Sequence, residues 1–241
     1  MPNRRVETSP QLFARVGGAL YLVLIALGVF LQAMMGRVIV SGDSASTSAN
    51  LRSMEPMWRL AAAAEFVALI CVTALAMIYF VLLRPVSREL NLLATFLRMV
   101  GIAVEATATL NLVAALFPLG SAGYLAAFTP EQLHALTYLA IKSHGHGYAL
   151  ALLFFGACFV VHGYLIFRSG YLPKLLGILI QVAGAGYLTN SFALFVAPTF
   201  QARIFPAVLV PAFIAEFSLC LWLLVKGVDV VRWREAIMKA A

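Results

Sequence analysis

Three carboxylic acids stand inside otherwise apolar stretches of this sequence: Glu65, Glu105 and Glu216. A carboxyl group surrounded by hydrocarbon costs about 2.5 kcal/mol or more unless a proton, a cation or a basic side chain neutralises it, so such groups point to proton or cation handling. Asn111, Asn190 and Ser191 add amides and a hydroxyl able to orient a ligand. The run Ser143-His144-Gly145-His146-Gly147 supplies two imidazoles. His144 and His146 are therefore candidate ligands for a divalent metal, and histidine also relays protons. Their two-residue spacing does not put both rings on one helical face, and no HExxH pattern accompanies them. The plainer alternative is that each glutamate is protonated, or paired with Arg59, Arg98 or a histidine, and only locks helices together. There is no GxSxG, GxGxxG or P-loop, so no catalytic residue is assigned.

The elements that must position these residues follow from composition. Of the 241 residues, 63% are hydrophobic and 11% charged, and the mean hydropathy is +0.95. A soluble domain carries about a quarter charged residues. The chain reads as an all-α polytopic membrane protein, a single integral membrane domain over residues 1–241. Apolar runs at 12–35, 58–83, 92–117, 147–167, 175–196 and 204–225 each meet the length of about 20 residues that a crossing needs, which gives a six-helix transmembrane bundle. Arg4, Arg5 and Arg15 before the first run resemble the start of a signal peptide. The run is too long for one and lacks a small-x-small cleavage site, so it is taken as the first span.

Short outer-surface helices are expected between the spans. Asp43 or Ser44 can cap one that Pro56 ends, and Thr129-Pro130-Glu131-Gln132 is a capping box with proline at the first helical position. The latter opens a helix reaching about residue 142, read as an amphipathic surface element separate from the fourth span. Trp58 and Arg59 read as an interfacial anchor pair. Gly177, Gln181, Gly184, Leu188 and Ser191 fall on one helical face and predict close helix approach. Pro206 and Pro211 predict a kink just before Glu216.

A rise of 1.5 Å per residue sets depths. Glu105 and Glu216 each lie about 18 Å from the outer ends of their spans, while Glu65, Asn111 and Asn190 lie roughly 10 Å from them. Glu105 and Glu216 are therefore expected to face each other or to share one outward-facing polar cavity with the two histidines at its mouth. Arg98 is about two helical turns from Glu105, which favours a shared proton or bound cation over a salt bridge.

Charge gives orientation. The inner segments hold Arg4, Arg5, Arg15, Arg84, Arg88, Arg98, Arg168, Lys174, Lys226, Arg232, Arg234 and Lys239; the outer ones hold Arg37, Arg52, Arg59, Lys142 and Arg203. This positive-inside asymmetry predicts a cytoplasmic (inner) membrane location with both termini in the cytoplasm. The net charge of +7 sits at helix ends without aromatic readers, so the expected partner is the lipid bilayer and not nucleic acid. Protein partners are not legible. Cys71, Cys158 and Cys220 all lie within spans and read as apolar packing residues.

Three stretches carry a family resemblance: FRSGYLPKLLGILIQVAGAGYLTNSFALF, RLAAAAEFVALICVTALAMIYFVLLRPVSREL, and ARVGGALYLVLIALG followed by Gly42-Asp43. With them the chain resembles, over nearly its whole length, the bacterial membrane family catalogued as domain of unknown function 4386. The resemblance implies a six-span membrane protein and no established activity. It also implies a histidine with an acidic partner at the outer end of the fourth span, and the Ser143 to Gly147 run holds no acid. Three functions remain open. One is binding or transport of a proton, cation or small amphiphile, with no cofactor; another is a metal-dependent intramembrane lipid hydrolase; the third is a non-catalytic membrane subunit or sensor.

Overall fold

The computed structural model describes residues 9–240, and among them the regular structure is helical throughout. The order is α1 (Pro10–Val38), α2 (Ser44–Ser53), α3 (Glu55–Leu83), α4 (Arg88–Ala114), α5 (Pro130–Ser169), α6 (Lys174–Val196), α7 (Pro198–Ile204), α8 (Val210–Val225) and α9 (Val230–Ala240). Short 3-10 turns occupy Phe117–Leu119, Gly123–Ala127 and Ala207–Leu209. Among the described residues, helices α1, α3, α4, α5 and α6, with the segment Ala207–Val225 that contains α8, are the six long and apolar enough to cross a membrane. One end of the bundle, here the near end, holds the start of α1, the short α3/α4 and α5/α6 turns, and α9. The far end holds α2, α7 and the 3-10 turns.

Helix starts follow their caps. Ser9, Asp43 and Ser87 accept from backbone N–H groups of the first turns of α1, α2 and α4, and Thr129 with Gln132 forms the full capping box of α5. Pro56 opens α3 instead of ending α2, because proline has no N–H to lose in a first turn. Near-end turns are sealed by carbonyls that helix ends leave free. Leu82 O accepts from both Tyr171 Oη at 2.7 Å and Trp233 Nε1 at 3.0 Å, which ties the α5/α6 turn and α9 to the end of α3.

The expected surface helix at 130–142 is not separate. It forms the first turns of α5, which continues without a break through Gly145 and Gly147 for 40 residues. Glycine lowers helix propensity but, unlike proline, neither removes a donor nor clashes, so nothing stops the helix there. At 1.5 Å per residue α5 is about 60 Å long, twice the hydrocarbon thickness of about 30 Å. Its extra length is covered by α2 and the turn before it: Gly42 N–H donates to Tyr138 Oη at 3.0 Å, and Thr137 and Ile141 are buried.

The sixth span differs from expectation too. Residues 198–204 form α7, and α8 begins only at Val210 after the turn Ala207–Leu209. The prolines end one helix and start another where a kink in a continuous helix was expected. Trp58 is not an interfacial anchor: it is 1% exposed and its indole N–H donates to Leu112 O at 2.7 Å, a carbonyl in the last turn of α4. Arg98 is not an end charge either. It is buried ten residues into α4, about 15 Å from the start of that helix.

Glycines set the tightest contact. A Cβ on Gly163 would meet Gly177 O at 2.6 Å, and one on Gly184 would meet Gly156 O at 2.6 Å. Helices α5 and α6 therefore touch backbone to backbone along a seam in which no methyl group fits.

Candidate functional site

On the other side of α5 the packing opens into a cavity of about 740 Å³. It runs from the level of Gln32, His144 and Gln201 near the far end down to Tyr21 and Arg98. The late start of α8 makes part of this room, since Phe205, Pro206 and Leu209 line it where a longer helix would have stood. Irregular backbone at such depth is tolerated where it borders a cavity. Most of the remaining wall is aliphatic or aromatic, including Leu24, Val72, Phe155 and Phe213.

Glu65, Glu105 and Glu216 all line this cavity. Glu105 and Glu216 line one cavity, the second of the two arrangements expected of them, and each has a hydrogen-bonding partner other than the other. The Glu105 carboxyl has Glu65 within hydrogen-bonding reach, across the antiparallel α3 and α4. Glu216 instead accepts a very short hydrogen bond from Tyr187 Oη and is also reached by the Tyr21 hydroxyl. Helix α8 starts at Val210, six residues before Glu216, and not at residue 204, so Glu216 stands in the second turn of its helix. No glutamate of the three takes the arginine that sequence offered: Arg59 pairs with Glu55 at 2.8 Å. Arg98 lies over the rings of Tyr79 and Phe159, 5.2 and 5.6 Å from their centroids.

Asn190 lines the cavity near its far end, where its side-chain oxygen accepts from Gln201 Nε2 at 3.1 Å. Asn111 is turned back on its own helix and donates to Ala108 O at 3.1 Å. Ser191 of α6 is fully buried and is not part of the cavity wall. The two histidines diverge. His144 is buried, lines the cavity and sits 3.2 Å by Nδ1 from Ala108 O, whereas His146 is exposed, 2.9 Å by Nδ1 from Lys142 O and against Phe195. Among the described residues no group of three or more His, Cys, Asp and Glu side chains comes together as a metal site.

Sequence reasoning missed Tyr21, Tyr148 and Tyr187, which supply the phenols around the carboxyl groups. Their signal was available: a tyrosine deep in an apolar span needs a partner for its hydroxyl just as an acid does.

This arrangement is that of a polytopic helical membrane protein with an acidic, aromatic-walled cavity among its spans. The sequence profile of the family described as Domain of unknown function (DUF4386) matches residues 16–227, and the chain belongs to that family. It is also similar to an uncharacterized protein of Archaeoglobus fulgidus, 29% identical over 157 residues that make up 65% of this chain and 76% of the relative. No solved structure matches.

Proposed function

We propose that the chain binds, and carries across the membrane, a small amphiphile with a positively charged head, with the carboxyl groups of Glu65 and Glu105 taking the head. The observation that carries this reading is the cavity itself. Its volume of about 740 Å³ falls in the range of roughly 300–1,000 Å³ usual for small-molecule sites, with a mostly apolar lining and a few convergent polar groups. Three glutamates and one arginine are among its lining residues. Aromatic faces from Tyr148, Phe155 and Phe213 suit a quaternary or protonated amine.

Two carboxyl groups in hydrogen-bonding reach hold a shared proton between them, because both cannot be charged in so dry a place. A cationic head replaces that proton, so binding releases one proton to the medium. Glu216, held by two phenols, takes no part in this exchange. The positive-inside asymmetry supports a cytoplasmic-membrane placement with the near end in the cytoplasm, which makes the cavity outward-facing. Removing buried Arg98 from the inner set leaves the asymmetry intact. In whole cells, a cysteine placed at Ser121 should label from outside and one at Ser87 should not.

The test uses benzyltrimethylammonium, a permanent cation, against its neutral isostere neopentylbenzene. Purified chain in lipid nanodiscs should bind the cation at least about tenfold more tightly, a difference of about 1.4 kcal/mol, and a pH dye in weak buffer should report one proton released. Equal binding of the two probes, or binding without proton release, sinks the reading.

A further inference from the structure

Beneath the cavity floor lies a second, much smaller void of about 10 Å³. Side chains from all six long helices enclose it: Tyr21 of α1, Tyr79 of α3, Arg98 of α4, His162 of α5, Ile180 of α6 and Leu219 of α8. Every long helix thus reaches this small space, as every one reaches the large cavity above it. Tyr21 and Arg98 also line the large cavity, so they form the partition between the two spaces.

Three buried groups on the wall of the small void each keep a polar atom without a protein partner. These are Tyr79 Oη, Arg98 Nε and His162 Nε2, in residues only 3–4% exposed. Their other atoms are engaged. The Tyr79 ring lies 5.2 Å from the His162 ring and 5.2 Å beneath the Arg98 guanidinium carbon, and His162 Nδ1 is 3.4 Å from Cys158 Sγ. Buried polar atoms are almost always satisfied, and three orphans around one space call for a common partner. The space is at the lower limit of what holds one water molecule, and buried waters typically make three hydrogen bonds.

We propose that this void is a binding site for a single structural water that joins α3, α4 and α5. The water accepts from Arg98 Nε–H and from Tyr79 Oη–H and donates one proton to His162 Nε2, while His162 Nδ1–H points at Cys158 Sγ. Its second proton faces the aromatic wall. A monatomic anion is the competing occupant, and it needs a third donor, with His162 carrying its proton on Nε2. The chemistry of the trio fits water better, because a neutral imidazole with a free Nε2 lone pair offers an acceptor beside two donors. The bound water fixes the guanidinium as a stationary positive charge at the cavity floor. This inference stands on the small void and does not depend on which ligand the large cavity takes.

The experiment is a structure of the wild-type chain in lipid at a resolution that shows ordered water, with and without sodium bromide. One peak within about 2.7–3.2 Å of all three atoms, and no anomalous signal there in bromide, is the expected result. No peak, or a bromide signal at that position, overturns the proposal. In solution, X-ray radiolysis forms hydroxyl radicals at bound water, so Tyr79 should oxidise severalfold more in wild type than in His162→Phe, whose ring fills the void. Equal oxidation of Tyr79 in the two also overturns it. Binding of benzyltrimethylammonium, measured separately, reports on the large cavity alone.

Discussion

The two faces of α5 show opposite solutions to packing in lipid. Towards α6, Gly156 and Gly163 meet Gly184 and Gly177 with carbonyl oxygens where a Cβ would stand. Towards α1, α3 and α8, larger side chains such as Tyr148 and Phe155 leave about 740 Å³ between them. Small residues bring helices into contact, while large ones beside a late-starting neighbour hold them apart. In the absence of a hydrophobic drive between helices, the close seam supplies dispersion contact and lets the rest of α5 stand beside a cavity without collapsing into it.

The largest expected effect comes from breaking the seam. In Gly177→Val the new Cβ would lie 2.5 Å from Phe167 N and 2.6 Å from Gly163 O, both backbone atoms that cannot rotate away. Overpacking of this kind should cost about 3 kcal/mol or more. Thermal unfolding followed by circular dichroism in detergent should show a large drop in midpoint or no folded protein. An unchanged midpoint would mean that α5 and α6 do not pack as described.

The cavity should respond in the opposite way, losing function and keeping the fold. Replacing both Glu65→Gln and Glu105→Gln keeps shape and removes the exchangeable proton. Stability should change by less than about 1 kcal/mol, because a buried carboxyl pair contributes little net stabilisation. Benzyltrimethylammonium affinity should fall about tenfold or more, equal to about 1.4 kcal/mol, and proton release should vanish. If stability falls sharply while binding persists, the pair is a structural lock between α3 and α4.

The two faces also differ in how legible they are. The seam is written in residue type, since Gly177 and Gly184 at i, i+7 on one apolar helix already say that another helix comes close. The six spans are equally plain, because length and hydropathy are local properties. The cavity was legible only in part. Glu65, Glu105 and Glu216 announce themselves as acids in apolar runs, but the partner of each depends on which helices are antiparallel neighbours and on where each helix begins. Counting from residue 204 misjudged where the helix of Glu216 begins, since Pro206 and Pro211 gave no sign of whether the helix would kink or restart. Asn111 and Ser191 look as suitable as Asn190 until rotation about the helix axis turns them elsewhere. Rotation of a nearly uniformly apolar helix is not encoded in its hydropathy pattern; it is set by packing against neighbours.

The smallest effect falls within the three residues Gly145 to Gly147 of α5, where an open face and a packed face lie side by side. Gly145 and Gly147 are two positions apart, so their Cβ directions differ by about 200° around the helix. A methyl added at Gly145 meets nothing within 4 Å, whereas one at Gly147 would lie 2.6 Å from Ala108 Cβ on α4. Gly145→Ala should therefore raise stability by about 0.5 kcal/mol, through the lower conformational entropy of the unfolded chain and the better helix propensity of alanine. Gly147→Ala gains the same propensity but must push α4 away, and should lose about 1 kcal/mol net. The contrast tests whether α5 is continuous. In a chain where a surface helix ended near residue 142 and a new span began at residue 147, Gly145 would lie in a turn and its replacement would not stabilise. Unfolding midpoints of the two variants measured side by side should move in opposite directions, and a fall in both would place a break in α5 at the two histidines.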